Sequence, residues 1–146
     1  HRDLHSFPTR RSSDLYNLIS LLIGVNNEFW GEPFDVFQSE FDSLLNIAID
    51  LVGKDRLFIV SIPDYGVTPF GSNNSENIAE NIDMYNNYIQ ERCSNEGLTY
   101  INITEISRQL GDSEGALASD NLHPSGSQYA QWVNQMLPIV LGLIND

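Results

Sequence analysis

Cysteine is almost missing from this chain, basic residues are few, and no apolar run is long. The single cysteine, Cys93, excludes an internal disulfide framework and any multi-cysteine metal site. Seven Lys and Arg stand against twenty Asp and Glu, a formal charge of −13. Such an acidic surface repels phosphates, which excludes nucleic acid and anionic membranes as natural partners. Histidine is scarce too. Two of the three lie within the first five residues, which leaves His123 in the body of the chain. With one such histidine and no acidic cluster of ligand spacing, no metal is expected. No sequence feature calls for a cofactor or an obligate protein partner. The most apolar segment, "YAQWVNQMLPIVLGLIND", is too short and too interrupted to span a bilayer. What is present, 146 residues of which 41% are hydrophobic, suits one soluble globular domain with a real core.

The opening stretch "HRDLHSFPTRRSSDL" does not belong to that picture. It is polar and basic, has no period, and runs without a linker into the strand-like "YNLISLLIGVNN". Residue for residue it resembles the in-frame translation of a short-read sequencing adapter. His1–Leu15 are therefore expected to be non-native and are set aside from fold reasoning. The expected domain is 16–146, with its true N-terminus missing, so localisation is not legible.

From Tyr16 onward the pattern alternates. "NLISLLI" is a continuous apolar run of strand length, suited to burial on both faces. Phe34, Phe37, Phe41, Leu44, Leu45, Ala48 and Leu51 recur at helical spacing between Pro33 and Gly53. "RLFIVSIP" is a second buried strand. "ENIAENIDMYNNYIQERC" puts Ile78, Ile82, Tyr85 and Ile89 on one face, closed by Gly97. "LTYINIT" is a third strand and "EISRQL" one or two helical turns. The last helix starts near Ser125 and is expected to turn Tyr129, Trp132, Val133, Met136 and Leu137 inward. This rhythm predicts an α/β fold with a parallel sheet. Ligands in such sheets bind outside the carboxyl ends of the strands. Function is thus expected in the loops "GVNNEFWGEPF", "PDYGVTPFGSNNS" and "SDNLHPSG".

Three groups of residues in those loops are able to do chemistry. Asp120 lies three residues before His123, close enough to fold back and accept a bond from Nδ1, leaving Nε2 as a general base. Imidazole suits this because it titrates near neutrality. A loop histidine bonded for structure alone fits the same residues. Asn26 follows a strand, where its amide could donate to an oxyanion with help from a backbone N–H near Gly24; a plain Gly-Asn turn is the alternative. Tyr65, Val67 and Phe70 offer an apolar pocket wall or simple loop packing.

Taken together, "LLIGVNN" and "DNLHPSG" resemble two conserved blocks of the SGNH hydrolases, the GDSL-type esterases and lipases. The resemblance runs from Tyr16 to about Pro138. It implies a three-layer α/β/α flavodoxin-like sandwich, with its N-terminal strands missing here, and hydrolysis of a small-molecule ester through an acyl-serine. Asp120 and His123 take the places of the triad acid and base. Asn26 takes that of the oxyanion asparagine, and Asn27 stands where the family has aspartate. The family's nucleophilic serine would lie upstream of Tyr16, so the chain as given is expected to be inactive. Ser113, in "GDSEG", follows a polar segment rather than a buried strand and reads as part of a loop. The alternative function is a non-catalytic binding or interaction protein on the same fold.

Overall fold

Four consecutive apolar residues, Leu57–Val60 (β2), form the centre of a three-stranded sheet in the computed structural model, which describes residues 16–145. The reading of His1–Leu15 as non-native lies outside the described residues. β2 is flanked by Ile19–Leu21 (β1) and Thr99–Ile101 (β3), and both pairings are parallel. Ile19 faces Leu57, and Phe58 faces Thr99 across the ladders. Parallel neighbours need long crossovers. These are supplied by the helices Val25–Phe29 (α1) and Phe34–Val52 (α2) between β1 and β2, and Ser75–Glu96 (α3) between β2 and β3. Thr104–Leu110 (α4) and Gly126–Ile144 (α5) follow.

The twofold alternation of a strand divides the core. Leu57 and Ile59 point to one face, where they pack with Phe37, Phe41, Leu45, Ile82, Tyr85 and Ile89 of α2 and α3. Phe58 and Val60 point to the other and pack with Ile101, Ile103 and Trp132. The result is the expected three-layer α/β/α arrangement. Each fully buried Phe or Ile contributes about 1.5–3 kcal/mol through removal from water. The Phe37 and Tyr85 rings, centroids 4.4 Å apart, lock α2 to α3. Gly97 ends α3 in a left-handed conformation at φ 68°, the glycine C-cap that the sequence suggested.

A polar knot holds the segment after β2. The backbone N–H of Ile62 donates to Asn86 Oδ1 at 2.8 Å, and Asn86 Nδ2 donates to Ile62 O and Thr104 Oγ1. Thr104 Oγ1 in turn donates to Ser61 Oγ at 2.7 Å, and Ser61 Oγ accepts from the Ile103 N–H. All five residues of this knot, Ser61, Ile62, Asn86, Ile103 and Thr104, are buried, so the segment that leaves β2 is tied to both α3 and α4.

Three expectations need correction. β1 is three residues long and only partly buried, and Leu22 beyond it is exposed. It is an edge strand among the described residues, so its outer side lacks the cover that β2 enjoys. The stretch after β1 is not a loop: Val25–Phe29 make a short helix. On α5, Trp132 is buried, but Tyr129, Val133 and Leu137 are about half exposed. The helix packs through the row Trp132, Met136, Val140 and Leu143. The neighbouring apolar row lies one position round the helix and turns away from the sheet.

Gly24, between β1 and α1, is required by its surroundings. Its φ is +117°, and a Cβ there would lie 2.6 Å from the Phe37 ring and 2.8 Å from Ile62 Cδ1. Gly24→Ala combines a left-handed backbone with a clash inside a packed core. It is expected to destabilise the chain by about 2–4 kcal/mol, visible as a lowered urea midpoint with an unchanged slope. A midpoint within error of the parent would show that this turn relaxes freely.

Candidate functional site

The segments that follow the three strands converge on one cavity of about 320 Å³ at the carboxyl end of the sheet. The turn after β1 contributes Leu22 and α1 contributes Asn26 and Phe29; the segment after β2 contributes Pro63, Asp64 and Tyr65; the approach to α5 contributes Leu122 and His123; and α5 itself contributes Gln128 and Trp132. His123 and Asn26, distant in sequence, thus line the same cavity.

His123 sits at the end of a tightly fixed turn. Asp120 Oδ1 accepts from the backbone N–H groups of Leu122 at 3.0 Å and His123 at 2.9 Å. Asn121 takes the left-handed conformation at φ 58°, which asparagine tolerates. Two backbone bonds, Ala118 N to His123 O and Ser125 N to Ala116 O, hold the turn as a small hairpin. The Ser125 hydroxyl accepts from the Gln128 N–H and so caps α5. The histidine is therefore carried by a pinned turn docked on a helix start, not by a free loop.

Asp120 Oδ2 lies 2.6 Å from His123 Nδ1. A carboxylate can only accept, so Nδ1 carries the proton and Nε2 is the ring nitrogen left for a reacting group. The backbone N–H of His123, then the Nδ1 bond and the Leu122 N–H, hold the Asp120 carboxyl at about 2, well below the usual carboxylate range. The sign follows from that depression. The contribution of this turn is present above the ordinary carboxylate value and is lost as pH falls through about 2. The His123 side chain is 70% exposed and accessible to a substrate.

The remaining sequence candidates divide. Asn26 is exposed on the cavity wall, in the first turn of α1. Gly24 is buried beneath it and does not line the cavity; its packing against Phe37 and Ile62 explains the residue type. Asn27 donates from Nδ2 to Glu32 and Glu40, at 3.0 and 2.9 Å. An aspartate would meet two like charges there, which accounts for the amide at this position. Tyr65 and Val67 line the cavity. The Tyr65 hydroxyl donates to Glu28 at 2.5 Å, and burial together with that bond raises its pKa well above the phenol range. Phe70 stands outside the lining and packs 5.7 Å from the Phe29 ring. Ser113 does not line the cavity. The two aliphatic hydroxyls that do, Ser107 and Thr68, are buried and committed. Ser107 donates to Thr104 O and accepts from Asp64 N–H; Thr68 donates to Tyr65 O.

A family model, GDSL-like Lipase/Acylhydrolase, matches residues 2–131. The chain belongs to that family. No curated protein matches it. The matched region of this GDSL-like protein spans all three strands and the Asp120–His123 turn and ends within α5. Membership makes it a hydrolase of the esterase and acylhydrolase kind, with small molecules as substrates. Among the described residues no helix is long and apolar enough to cross a membrane.

Several site residues of this GDSL-like hydrolase escaped the sequence reading. Asp64, almost fully buried, accepts from the Gly66 N–H and from Arg108 Nε, at 2.8 and 2.9 Å. Glu28 accepts from Tyr65 and Asn81. These two acceptors fix the cavity's middle wall. Gln128 had one visible signal: it is polar, yet it falls one turn before Trp132 on the row that packs against the sheet.

Proposed function

We propose that this protein is the base-bearing part of an ester hydrolase that acts through an acyl-serine. His123 is its general base and acid, Asp120 orients the imidazole, and Asn26 donates to the oxyanion. The single observation that supports this most is the 2.6 Å contact between Asp120 and the exposed His123, on the wall of the cavity that Asn26 also lines. A histidine bonded only for structure has no need of an open cavity beside it.

In this reading Nε2 takes the proton of a serine hydroxyl as that oxygen attacks the ester carbonyl. The imidazolium so formed is stabilised by Asp120, and it returns the proton to the leaving alcohol. Water then repeats the sequence on the acyl-enzyme. The two aliphatic hydroxyls on the cavity wall, Ser107 and Thr68, are committed elsewhere, so we place the nucleophile outside the described residues, upstream of Tyr16. With His1–Leu15 read as non-native, this proposal leaves the 146-residue chain alone inactive. The domain boundary at Tyr16 is part of the same proposal, although the family match begins before it, at residue 2.

The test is to recover the upstream coding sequence from the source genome and express the joined protein. A fluorophosphonate probe is expected to label a serine upstream of Tyr16, and a p-nitrophenyl ester is expected to be hydrolysed. Labelling of Ser113 would reassign the nucleophile. A joined protein with neither labelling nor hydrolysis would favour the non-catalytic binding function.

A further inference from the structure

Asn26 is carried by a helix too short to hold itself. α1 has five residues and no side-chain cap, and a helix of that length is not stable through its own backbone bonds. Contacts outside it must set how it turns about its axis. Successive helical residues are about 100° apart, so side chains two positions apart point to nearly opposite sides. Asn26 is accordingly exposed on the cavity, whereas Glu28 is buried. Both Glu28 oxygens accept: Oε2 from the Tyr65 hydroxyl at 2.5 Å, and Oε1 from Asn81 Nδ2 at 3.1 Å. The first bond is at the short end for a hydroxyl on a carboxylate. Tyr65 stands in the turn after β2 and Asn81 in α3. One side chain thus ties α1 to two other elements. A carboxylate at such depth is costly unless its oxygens are bonded, and these two bonds supply that.

We propose that Glu28 is a positioning residue for the reaction: through Tyr65 and Asn81 it sets the rotation of α1, and so the direction of the Asn26 amide. This deepens the ester-hydrolase reading and rests on it for the oxyanion, though not for the anchoring of α1. The other supports of the helix act elsewhere. Gly24, packed on Phe37 and Ile62, fixes where α1 starts. The bonds from Asn27 to Glu32 and Glu40 are exposed, where water competes for the same groups. Tyr65 lines the cavity, but its hydroxyl proton is given to Glu28 and is not offered to a substrate. Glutamine at position 28 keeps both ties, because the phenol turns to accept from Nε2 while Oε1 accepts from Asn81. Alanine loses both.

The catalytic part is tested in the protein joined to its upstream serine. Glu28→Ala is expected to lower kcat about tenfold to a hundredfold, the scale of a displaced reacting group, with KM within about threefold of the parent. Glu28→Gln should keep kcat within about threefold of the parent. The deciding measurement is a double-variant cycle. Because Glu28 acts through Asn26, Glu28→Ala is expected to cost less than about threefold more when Asn26 is already alanine. A residue that only supports the fold lowers kcat alike in both backgrounds. Tyr65→Phe removes one of the two ties. It should show a smaller loss with the same pattern, and it decides the matter if Glu28→Ala fails to fold.

The anchoring itself is read in the 146-residue chain by amide hydrogen exchange. The Trp30 N–H donates to Asn26 O at 3.0 Å, and the Ser61 N–H donates to Ile101 O at 3.0 Å beside the sheet. Glu28→Ala is expected to speed exchange at Trp30 at least about tenfold and to leave Ser61 unchanged. Exchange at Trp30 that stays at the parent rate would overturn the proposal, as would equal losses of kcat with and without the Asn26 amide. Failure of the hydrolase reading shows separately: a joined parent protein that cleaves no ester removes the reaction, and with it the catalytic role of Glu28, whatever the exchange at Trp30.

Discussion

His123→Ala, made in the protein joined to its upstream serine, is expected to lower kcat by about four orders of magnitude or more and to leave KM within a few fold. The size follows from the role. Without the imidazole the serine must lose its proton unaided, and the leaving alcohol must depart unprotonated. Substrate contacts with the cavity wall are untouched, so ground-state binding persists. The fold should persist as well, because the imidazole is largely exposed and the turn around it is held by backbone bonds and by Asp120 Oδ1. Asp120→Asn should cost a comparable factor by a different route. The amide oxygen can still accept from the two backbone N–H groups, so the turn stays. Its NH₂ then faces Nδ1, which must give up its proton, and the wrong tautomer meets the serine. Above a pH of about 2 Asp120 remains a carboxylate. A His123→Ala enzyme that kept a tenth of the parent's kcat would remove His123 from the reaction.

The parts of this molecule that were legible in its sequence are those set by local rules. Phe37, Phe41, Leu45 and Ala48 recur at helical spacing, and all four are buried on α2. "LFIV" has no polar position, and β2 is buried throughout. The Asp120–His123 contact is local too, since three residues of spacing and an asparagine suffice to fold the carboxylate back. What was not legible depends on neighbours distant in the chain. The apolar rows of α5 look alike in sequence, and only the position of the sheet selects Trp132 and Met136 over Val133 and Leu137. "NLISLLI" has the composition of a central strand but stands at an edge among the described residues. Gly24 suggested a donor to an oxyanion, and its residue type is explained by the ring of Phe37 beside it. That Gln128 and Trp132 line the cavity follows from how α5 sits on the sheet, which no spacing rule reports.

Asn26→Ala is the second large effect, expected to reduce kcat about a hundredfold to a thousandfold in the joined enzyme, with little change in KM. An oxyanion donor meets full negative charge only in the tetrahedral state; the carbonyl of the bound ester calls on it weakly. Its loss is therefore felt in turnover and not in affinity. Position supports the assignment. Asn26 is in the first turn of α1, immediately beyond β1, and α1 is anchored by Gly24 packed on Phe37 below and by Glu28 bonded to Tyr65 and Asn81. The amide is thus carried on a fixed backbone, as preorganised stabilisation requires. Asn26→Asp should be at least as damaging, because a carboxylate offers no donor and adds a charge of the wrong sign beside the oxyanion. Two outcomes discriminate. A raised KM with unchanged kcat would make Asn26 a substrate-binding side chain. Parent-like values for both constants would leave the oxyanion to other donors and withdraw Asn26 from the site.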